Sequence, residues 1–168
     1  MPNRIHRFPI RVYFEDTDAG GMAYHANFLR WAERARTESL RELGLPHQEM
    51  MDRHNSLLVV RRVEVEYWRP ARLDDSLVVE TTVLRVTGAQ VLLDQTVREH
   101  GGGNGAGERV AGLKVGLVSV DRQSLRPVPL PEPWRSVLRG LVRPAEAGRG
   151  GCNGNGRDRR RRVSMPAC

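Results

Sequence analysis

The amino-acid sequence predicts an α+β fold, in which a five-stranded antiparallel sheet wraps around one long central helix. Three observations support this prediction. The amino-terminal part holds a β-rich segment and one long amphipathic helix pattern, four long strand patterns follow, and glycine-containing turns separate the last three strands. A helix lying along one face of a strongly twisted sheet is the simplest way for these elements to share one core.

The individual elements follow from local patterns. The helix is expected at 25–43, because its apolar residues recur at helical spacing and Gly44 and Pro46 end it. Gly88 and the glycine-rich loop 100–108 fit hairpin turns, so the last three strands are expected to form an antiparallel meander. The strands are expected at 9–15, 57–69, 77–87, 90–100 and 108–120, with short helices near 47–53 and within 131–141.

Length and composition exclude several classes of protein. A chain of 168 residues has room for one domain, and no apolar run approaches the ~20 residues of a membrane-spanning helix. The amino terminus lacks the apolar core of a secretory signal. Cys152 and Cys168 both lie near the carboxyl terminus, which excludes a disulfide framework or a cysteine metal site in the body of the chain. A cytoplasmic location is therefore expected.

The positive charge is concentrated at the carboxyl-terminal end. The whole chain carries +7, but residues 143–168 hold seven arginines against two acidic residues and account for +5 of it. The remaining +2 argues against a basic surface for nucleic acid on the folded part. We expect a folded domain at 1–142 and a disordered Arg/Gly-rich tail at 143–168, whose arginines give at most a weak contact with anionic lipid.

The segment 11–28, RVYFEDTDAGGMAYHANF, joins the first strand to the helix and holds three acids, a glycine pair and a histidine. Glycines let the backbone approach a ligand, and the unpaired N–H groups at a helix start carry the positive end of its dipole. Such N–H groups can hold a developing oxyanion, while a nearby carboxylate acts as base or nucleophile. This composition indicates a candidate active site.

A purely structural role for the same residues remains open at this point. Asp16 and Asp18 suit a turn or a cap, and His25 fits an ordinary first helical turn. These three side chains are also potential metal ligands, but three ligands from one loop with no distant partner make a weak site. No metal or other cofactor is expected.

The sequence resembles the signature of hotdog-fold acyl-CoA thioesterases. The stretch RVYFEDTDAGGMAYHANFLRWAERARTESLRELG is similar to that of the YbgC-like group, which is associated with the bacterial Tol–Pal envelope system. A wider relative is 4-hydroxybenzoyl-CoA thioesterase. The similarity continues in VVRRVEVEYWRPARLDDSL and near VGLVSVD, so it covers roughly residues 4–140 and leaves the tail outside.

The resemblance implies a hotdog fold and metal-free hydrolysis of an acyl-CoA to a free acid and CoA, in a homodimer or homotetramer. It assigns the catalytic carboxylate to Asp18 of the T-D-x-G-G pattern and a second catalytic role to His25 of the Y-H-x-N pattern. It places the oxyanion hole at the backbone N–H groups of Tyr24 and His25. Asp16 is left as a structural residue.

The sequence lacks the basic cluster that would hold the CoA phosphates in some relatives. Hydroxybenzoyl-CoA relatives use a basic cluster at a strand turn, where this chain has RVTGAQ with one arginine. Guanidinium groups suit phosphates, and a solvated strand face is the alternative interpretation. The substrate-binding candidates are Arg61, Arg62, Arg69 and Arg72.

Three other functions stay open on the sequence. A hotdog dehydratase is the other enzyme class, and a non-catalytic acyl-carrier or envelope-complex adaptor would keep the fold without releasing a thiol. A nucleic-acid contact would rest on the arginine run 159–162 alone. Acyl-carrier protein and envelope machinery are considered as partners beside acyl-CoA, and the inner membrane surface as a location beside the cytoplasm.

Overall fold

The computed structural model describes residues 5–101 and 107–142. Its elements agree with the predicted ones to within a few residues, except for the first strand. The expected tail at 143–168 lies outside the described residues. The elements are β1 (Ile5–Arg11), α1 (Asn27–Glu42), α2 (His47–His54), β2 (Ser56–Tyr67), β3 (Ser76–Val86), β4 (Gln90–Glu99), β5 (Arg109–Asp121) and α3 (Trp134–Gly140).

The five strands form one antiparallel sheet with the order β1-β3-β4-β5-β2. The chain runs directly from β3 through β4 to β5, and each neighbouring pair is antiparallel, so the predicted meander is confirmed. β1 and β2 are the edge strands. None of the helices in 5–101 and 107–142 is long and apolar enough to cross a bilayer.

The core lies between α1 and one face of the sheet. Alternate residues of β4 are buried, as expected where a strand packs one face against a helix, and β3 and β5 bury in addition some consecutive residues. The buried residues of α1 lie on one side at helical spacing, so the prediction of a sheet packed around one long helix is confirmed. They are Asn27, Phe28, Trp31, Ala32, Ala35 and Leu40.

A buried amide links α1 to the middle of the sheet. Gln95 of β4 is fully buried, and its Nε2 donates hydrogen bonds of 2.9 Å to the carbonyl of Ala32 and to Oγ1 of Thr81. Its Oε1 accepts a 2.8 Å hydrogen bond from Nη1 of Arg36. A buried polar group is tolerated only when it is bonded, so this network fixes how α1 lies on the sheet.

The first strand ends earlier than the sequence predicts. The pattern indicated a strand to residue 15, but β1 ends at Arg11 and Phe14–Asp16 form a short 3₁₀ turn. The carboxylate of Asp16 accepts a 2.9 Å hydrogen bond from the backbone N–H of Tyr13, which closes this turn. A side-chain bond to the nearby backbone therefore overrides the strand preference of Tyr13 and Phe14.

The edge strand β2 carries a bulge. Its pairing with β5 shifts register between Val60 and Arg62, so Arg61 is the extra residue. Bulges bend a strand and increase its local twist. β2 thus bends near its middle, about 20 Å along the strand from Tyr67 at its end.

Candidate active site

The loop between the 3₁₀ turn and α1 is held by a network of backbone hydrogen bonds. The N–H of Asp18 donates to the carbonyl of Met22 at 2.9 Å, and the N–H of Gly21 donates to the carbonyl of Asp18 at 2.9 Å. The N–H of Ala23 donates to the carbonyl of Ala71 at 2.8 Å, which ties the loop to the connection between β2 and β3. These bonds fix the loop on the sheet.

The turn before α1 requires glycine at both positions of the pair Gly20 and Gly21. Gly21 has φ +70°, a left-handed conformation that most L-residues avoid. A Cβ on Gly20 would lie 3.1 Å from Oδ1 of Asp18, tighter than an ordinary van der Waals contact. The glycine pair therefore shapes the turn and leaves room for the Asp18 carboxylate.

The structure gives the two aspartates different surroundings. Asp16 belongs to the 3₁₀ turn and is half-buried. Its carboxylate accepts the Tyr13 N–H. The carboxylate of Asp18 is exposed, with Oδ1 accepting a 2.8 Å hydrogen bond from the N–H of Gly20. Within the described part of the chain, Oδ2 of Asp18 has no hydrogen-bond partner and is available to a ligand.

The backbone before α1 offers fewer free donors than the sequence indicated. The N–H of Tyr24 donates to the carbonyl of Asp16 at 2.8 Å, so this donor is already engaged. The N–H groups of His25 and Ala26 have no acceptor among the described residues. They stand at the amino-terminal end of α1, where the helix dipole is positive. Of the two donors that the resemblance names, the N–H of His25 is therefore the one without an acceptor among the described residues.

The imidazole of His25 is exposed at the same end of the helix. Its ring centroid lies 4.4 Å from that of Tyr24. Across the residues that are described, no hydrogen bond joins it to the Asp18 carboxylate. The ring therefore stands beside the loop and is open to a substrate.

Two further residues, Asn27 and Tyr67, hold the loop and the start of α1 in place. Asn27 is buried, and its Nδ2 donates a 2.8 Å hydrogen bond to the carbonyl of Asp16. The hydroxyl of Tyr67 donates a 2.9 Å hydrogen bond to the carbonyl of His25, so the end of β2 is tied to the start of α1. Burial raises the pKa of Tyr67, which keeps its hydroxyl protonated as a donor. The sequence signal available for Asn27 was its place as the last residue of the Y-H-x-N pattern.

The four arginine candidates lie in different surroundings. Arg72 is nearest to the loop, because it forms an isolated β-bridge with Met22. Arg62 pairs with Glu64 at 2.7 Å, and Arg69 pairs with Glu99 and Glu108. Arg61 lies at the bulge, far along β2 from the loop. The geometry thus favours Arg72 over the other three as a phosphate contact near this site.

The aromatic residues near the loop divide into core and surface. Trp31 is buried at 2% exposure, and Phe28 packs against both Trp31 and Tyr67 at ring distances of 4.9 and 5.3 Å. Tyr13 and Phe14 are 63% and 80% exposed, which is unusual for side chains of this size. In the ranges 5–101 and 107–142 no three His, Cys, Asp or Glu side chains are placed to share a metal ion.

Known proteins share both this sequence pattern and this fold. The family model described as thioesterase-like superfamily matches residues 12–138. The chain belongs to the thioesterase-like superfamily. The acyl-CoA thioesterase YbgC of Haemophilus influenzae is 37% identical over 134 residues, 80% of this chain and 94% of that protein. The acyl-CoA thioester hydrolase YbgC of an Escherichia coli O6:H1 strain is 38% identical over 132 residues, 79% of this chain and 94% of that protein.

Solved structures agree with these sequence matches. A probable thioesterase from Bartonella henselae is 31% identical with a TM-score of 0.68, covering 76% of this chain and 99% of that one. A 1,4-dihydroxy-2-naphthoyl-CoA thioesterase from Synechocystis has a TM-score of 0.72 at 22% identity, over 83% and 99% of the two chains, and shares the fold. The predicted hotdog fold and membership of the YbgC-like thioesterase group are confirmed, and with them the prediction that the chain is an enzyme of the thioester hydrolase class.

The role of Asn27 in holding the loop can be tested by stability. Asn27→Ala removes the bond to the Asp16 carbonyl, so we expect the free energy of unfolding to fall by about 1 kcal/mol. Urea denaturation at fixed protein concentration measures it. Arg34→Ala is the control, since Arg34 is exposed on the same helix away from Asn27, and we expect a change within about 0.5 kcal/mol. Equal effects of the two substitutions would contradict the anchoring role.

Proposed function

We propose that this protein hydrolyses acyl-CoA thioesters to a free carboxylic acid and CoA, with Asp18 as general base or nucleophile and His25 assisting. One observation carries the proposal. The Asp18 carboxylate with a free oxygen and the unpaired N–H of His25 belong to one hydrogen-bonded segment at the positive end of α1. The YbgC relatives, whose names state this activity, support the same conclusion.

The reaction follows from these groups. As a base, Asp18 takes a proton from water while the water oxygen attacks the thioester carbonyl carbon. The carbonyl oxygen becomes an oxyanion, which accepts the N–H of His25 and is stabilised by the dipole of α1. The C–S bond then breaks, the CoA sulfur leaves as a thiolate, and the His25 ring helps return a proton to it.

A nucleophilic role for Asp18 leads to the same products by two steps. Its Oδ2 would attack the carbonyl carbon, expel the CoA thiolate and leave a mixed anhydride, which water then hydrolyses. The bond from the Gly20 N–H to Oδ1 leaves Oδ2 as the reacting atom in either case. In this proposal Tyr24 holds the loop through Asp16, and the oxyanion rests on the His25 N–H rather than on both N–H groups. Arg72 is the proposed contact for the nucleotide end of CoA.

The carboxylate assignment is tested by matched asparagine variants. Asp18→Asn keeps an oxygen for the Gly20 N–H but loses the base and nucleophile, so we expect kcat to fall by ~10²-fold or more with the fold intact. Asp16→Asn keeps an acceptor for the Tyr13 N–H, and we expect a much smaller loss. Thiol release from a panel of acyl-CoA substrates measures both. Near-normal turnover in Asp18→Asn would sink the assignment, and no thiol release by the unaltered protein would favour the adaptor function.

The exposed surface around the loop supports a shared site in a dimer. β2 is a 12-residue edge strand, and exposed edges invite pairing with another strand. Tyr13, Phe14 and Tyr24 add exposed aromatic surface beside the site, which is typical of an interface. We therefore propose at least a homodimer, with a homotetramer as the further step that the resemblance implies.

Light scattering tests the assembly. We expect the protein to be at least a dimer, because the loop and the edge strand leave apolar surface uncovered. Phe14→Asp is expected to weaken the dimer and hydrolysis together, whereas Leu125→Asp, at a similarly exposed position after β5, should leave both unchanged. A monomer that keeps full activity would refute the shared site.

The proposed setting is the cytoplasm, with a tail that is not needed for hydrolysis. Residues 143–168 carry net +5, and near an anionic membrane each arginine contributes about 1 kcal/mol at most, screened by salt. The resemblance suggests two further partners. Acyl-carrier protein would be an alternative acyl donor, and the Tol–Pal envelope machinery would be a protein partner.

Truncation after Val142 tests the tail. We expect hydrolysis of acyl-CoA to be unchanged, because the tail has no apolar stripe with which to join the core. Lost activity would show that the tail belongs to the folded unit. Co-sedimentation with anionic and neutral vesicles at low and physiological salt tests the membrane role, and equal sedimentation of both proteins with anionic vesicles would remove it.

A further inference from the structure

A cavity of about 370 Å³ lies under the carboxyl-terminal half of α1. Its walls come from all three helices and all five strands, so it is a partly open pocket rather than a flat surface. Most of the wall is aliphatic. The aliphatic lining residues are Ile5, Leu40, Leu43, Leu58, Val60, Val83, Val91, Leu93, Leu117, Leu138 and Leu141.

The cavity is separate from the proposed catalytic loop. No residue between 8 and 32 lines it, and the first lining residue of α1 is Glu33. Along the helix, Arg36 lies about 14 Å from Asn27 at the opposite end. The fully buried Ala32 and the buried Trp31 fill the core between the two ends. The cavity therefore shares no lining residue with the proposed catalytic loop.

A cationic side chain stands in the cavity wall. Arg36 is half-buried, and its Nη1 is held by the Oε1 of Gln95, which is itself fixed by Ala32 and Thr81. Burial lowers the pKa of the Arg36 guanidinium, with Glu33 acting in the opposite direction, but an arginine stays charged at neutral pH. Among the described residues Arg36 forms no ion pair. A desolvated cation without a paired anion is costly, so this group is suited to receive one.

Two histidines add polar atoms to the same cavity. Both ring nitrogens of His6 are buried, and neither makes a hydrogen bond within the described ranges. Nε2 of His6 lies 3.2 Å from Oε2 of Glu42, close enough for an ion pair but not in hydrogen-bond geometry. Burial lowers the pKa of His47, so its ring is neutral at pH 7 and offers one N–H donor. Buried polar atoms without partners are unusual and point to a ligand.

The two acidic residues of the wall, Glu33 and Glu42, are exposed to solvent. Glu33 is exposed, and its Oε1 accepts a 2.9 Å hydrogen bond from Oγ1 of Thr37. The Glu42 side chain is 69% exposed and can turn into solvent. The cavity thus combines an aliphatic wall with two imidazole groups and a guanidinium that forms no ion pair among the described residues.

We propose that this cavity binds a medium-chain fatty acid, with the carboxylate on Arg36 and the aliphatic chain against the leucine and valine walls. Arginine suits a carboxylate because its guanidinium donates parallel hydrogen bonds. The cavity volume falls within the range of about 300–1,000 Å³ that is typical of small-molecule sites, which suits an acid of medium chain length such as decanoic acid. This second site is distinct from the hydrolytic one and does not depend on the proposed function.

Calorimetric titration with decanoate, below its micelle-forming concentration, tests the proposal on the full chain. We expect saturable binding with one acid per chain. Arg36→Met keeps the aliphatic stem but loses the charge-assisted bonds, so we expect affinity to fall about tenfold or more. Arg34→Met, on an exposed face of the same helix and outside the cavity, is the matched control and should bind as the unaltered protein does. Equal affinity of Arg36→Met and the unaltered protein would overturn the carboxylate contact.

A second variant keeps the test valid if Arg36→Met fails to fold. Leu58→Trp fills part of the cavity from β2 without touching the polar end, and we expect it to abolish decanoate binding while circular dichroism shows a native fold. Decylamine, of the same length but opposite charge, should not bind. Undiminished decanoate binding by a folded Leu58→Trp variant, equal binding of the amine, or no saturable decanoate binding would each refute the proposal.

Competition separates this site from the hydrolytic one. A non-hydrolysable acyl-CoA thioether should leave decanoate binding unchanged, because the two sites lie at opposite ends of α1. Displacement of decanoate by the thioether would place the acid at the catalytic loop and overturn the proposal. Absence of hydrolysis by the protein would refute the proposed function but leave decanoate binding intact.

Discussion

The hydrogen bonds of the Gln95 amide determine how the central helix lies on its sheet. Hydrophobic packing alone is non-directional and would allow a helix to slide along an aliphatic surface. The bond from Gln95 to the Ala32 carbonyl fixes the position of α1 along the sheet, because the amide is fully buried and water cannot replace that partner. The positions of both helix ends follow from this one contact.

The two ends of α1 then do different chemistry. At the amino-terminal end, backbone bonds from Tyr24 and the side chain of Asn27 converge on the Asp16 carbonyl, so the loop cannot move independently of the helix. Near the other end, α1 and α3 do not fill the space against the sheet, and the cavity lies there. The helix between them keeps the exposed carboxylate of Asp18 apart from the half-buried guanidinium of Arg36.

Much of the fold was predictable because it depends on periodicity. The helix pattern, the glycine and proline that end it, and the alternating strands are local signals, and each was confirmed. The carboxyl-terminal end of β1 was not predictable, because the Asp16 carboxylate competes with strand pairing and no pattern reports such a bond. The same turn gives Asp16 and Asp18 different surroundings. The engagement of the Tyr24 N–H depends on that turn as well. The cavity could not be predicted from the sequence, because it is a space left by side chains from eight elements.

The bulge in β2 also limits which chains can add to this sheet. A flat strand of unrelated sequence would find regular pairing on only one side of Arg61, because the edge bends there and its register shifts. Long, flat edges are the ones that nucleate aggregation, and natural proteins avoid them with such irregularities. The bend therefore disfavours pairing of β2 with the exposed strands of newly made or partly unfolded chains. Only an edge with a matching bend can pair along its whole length.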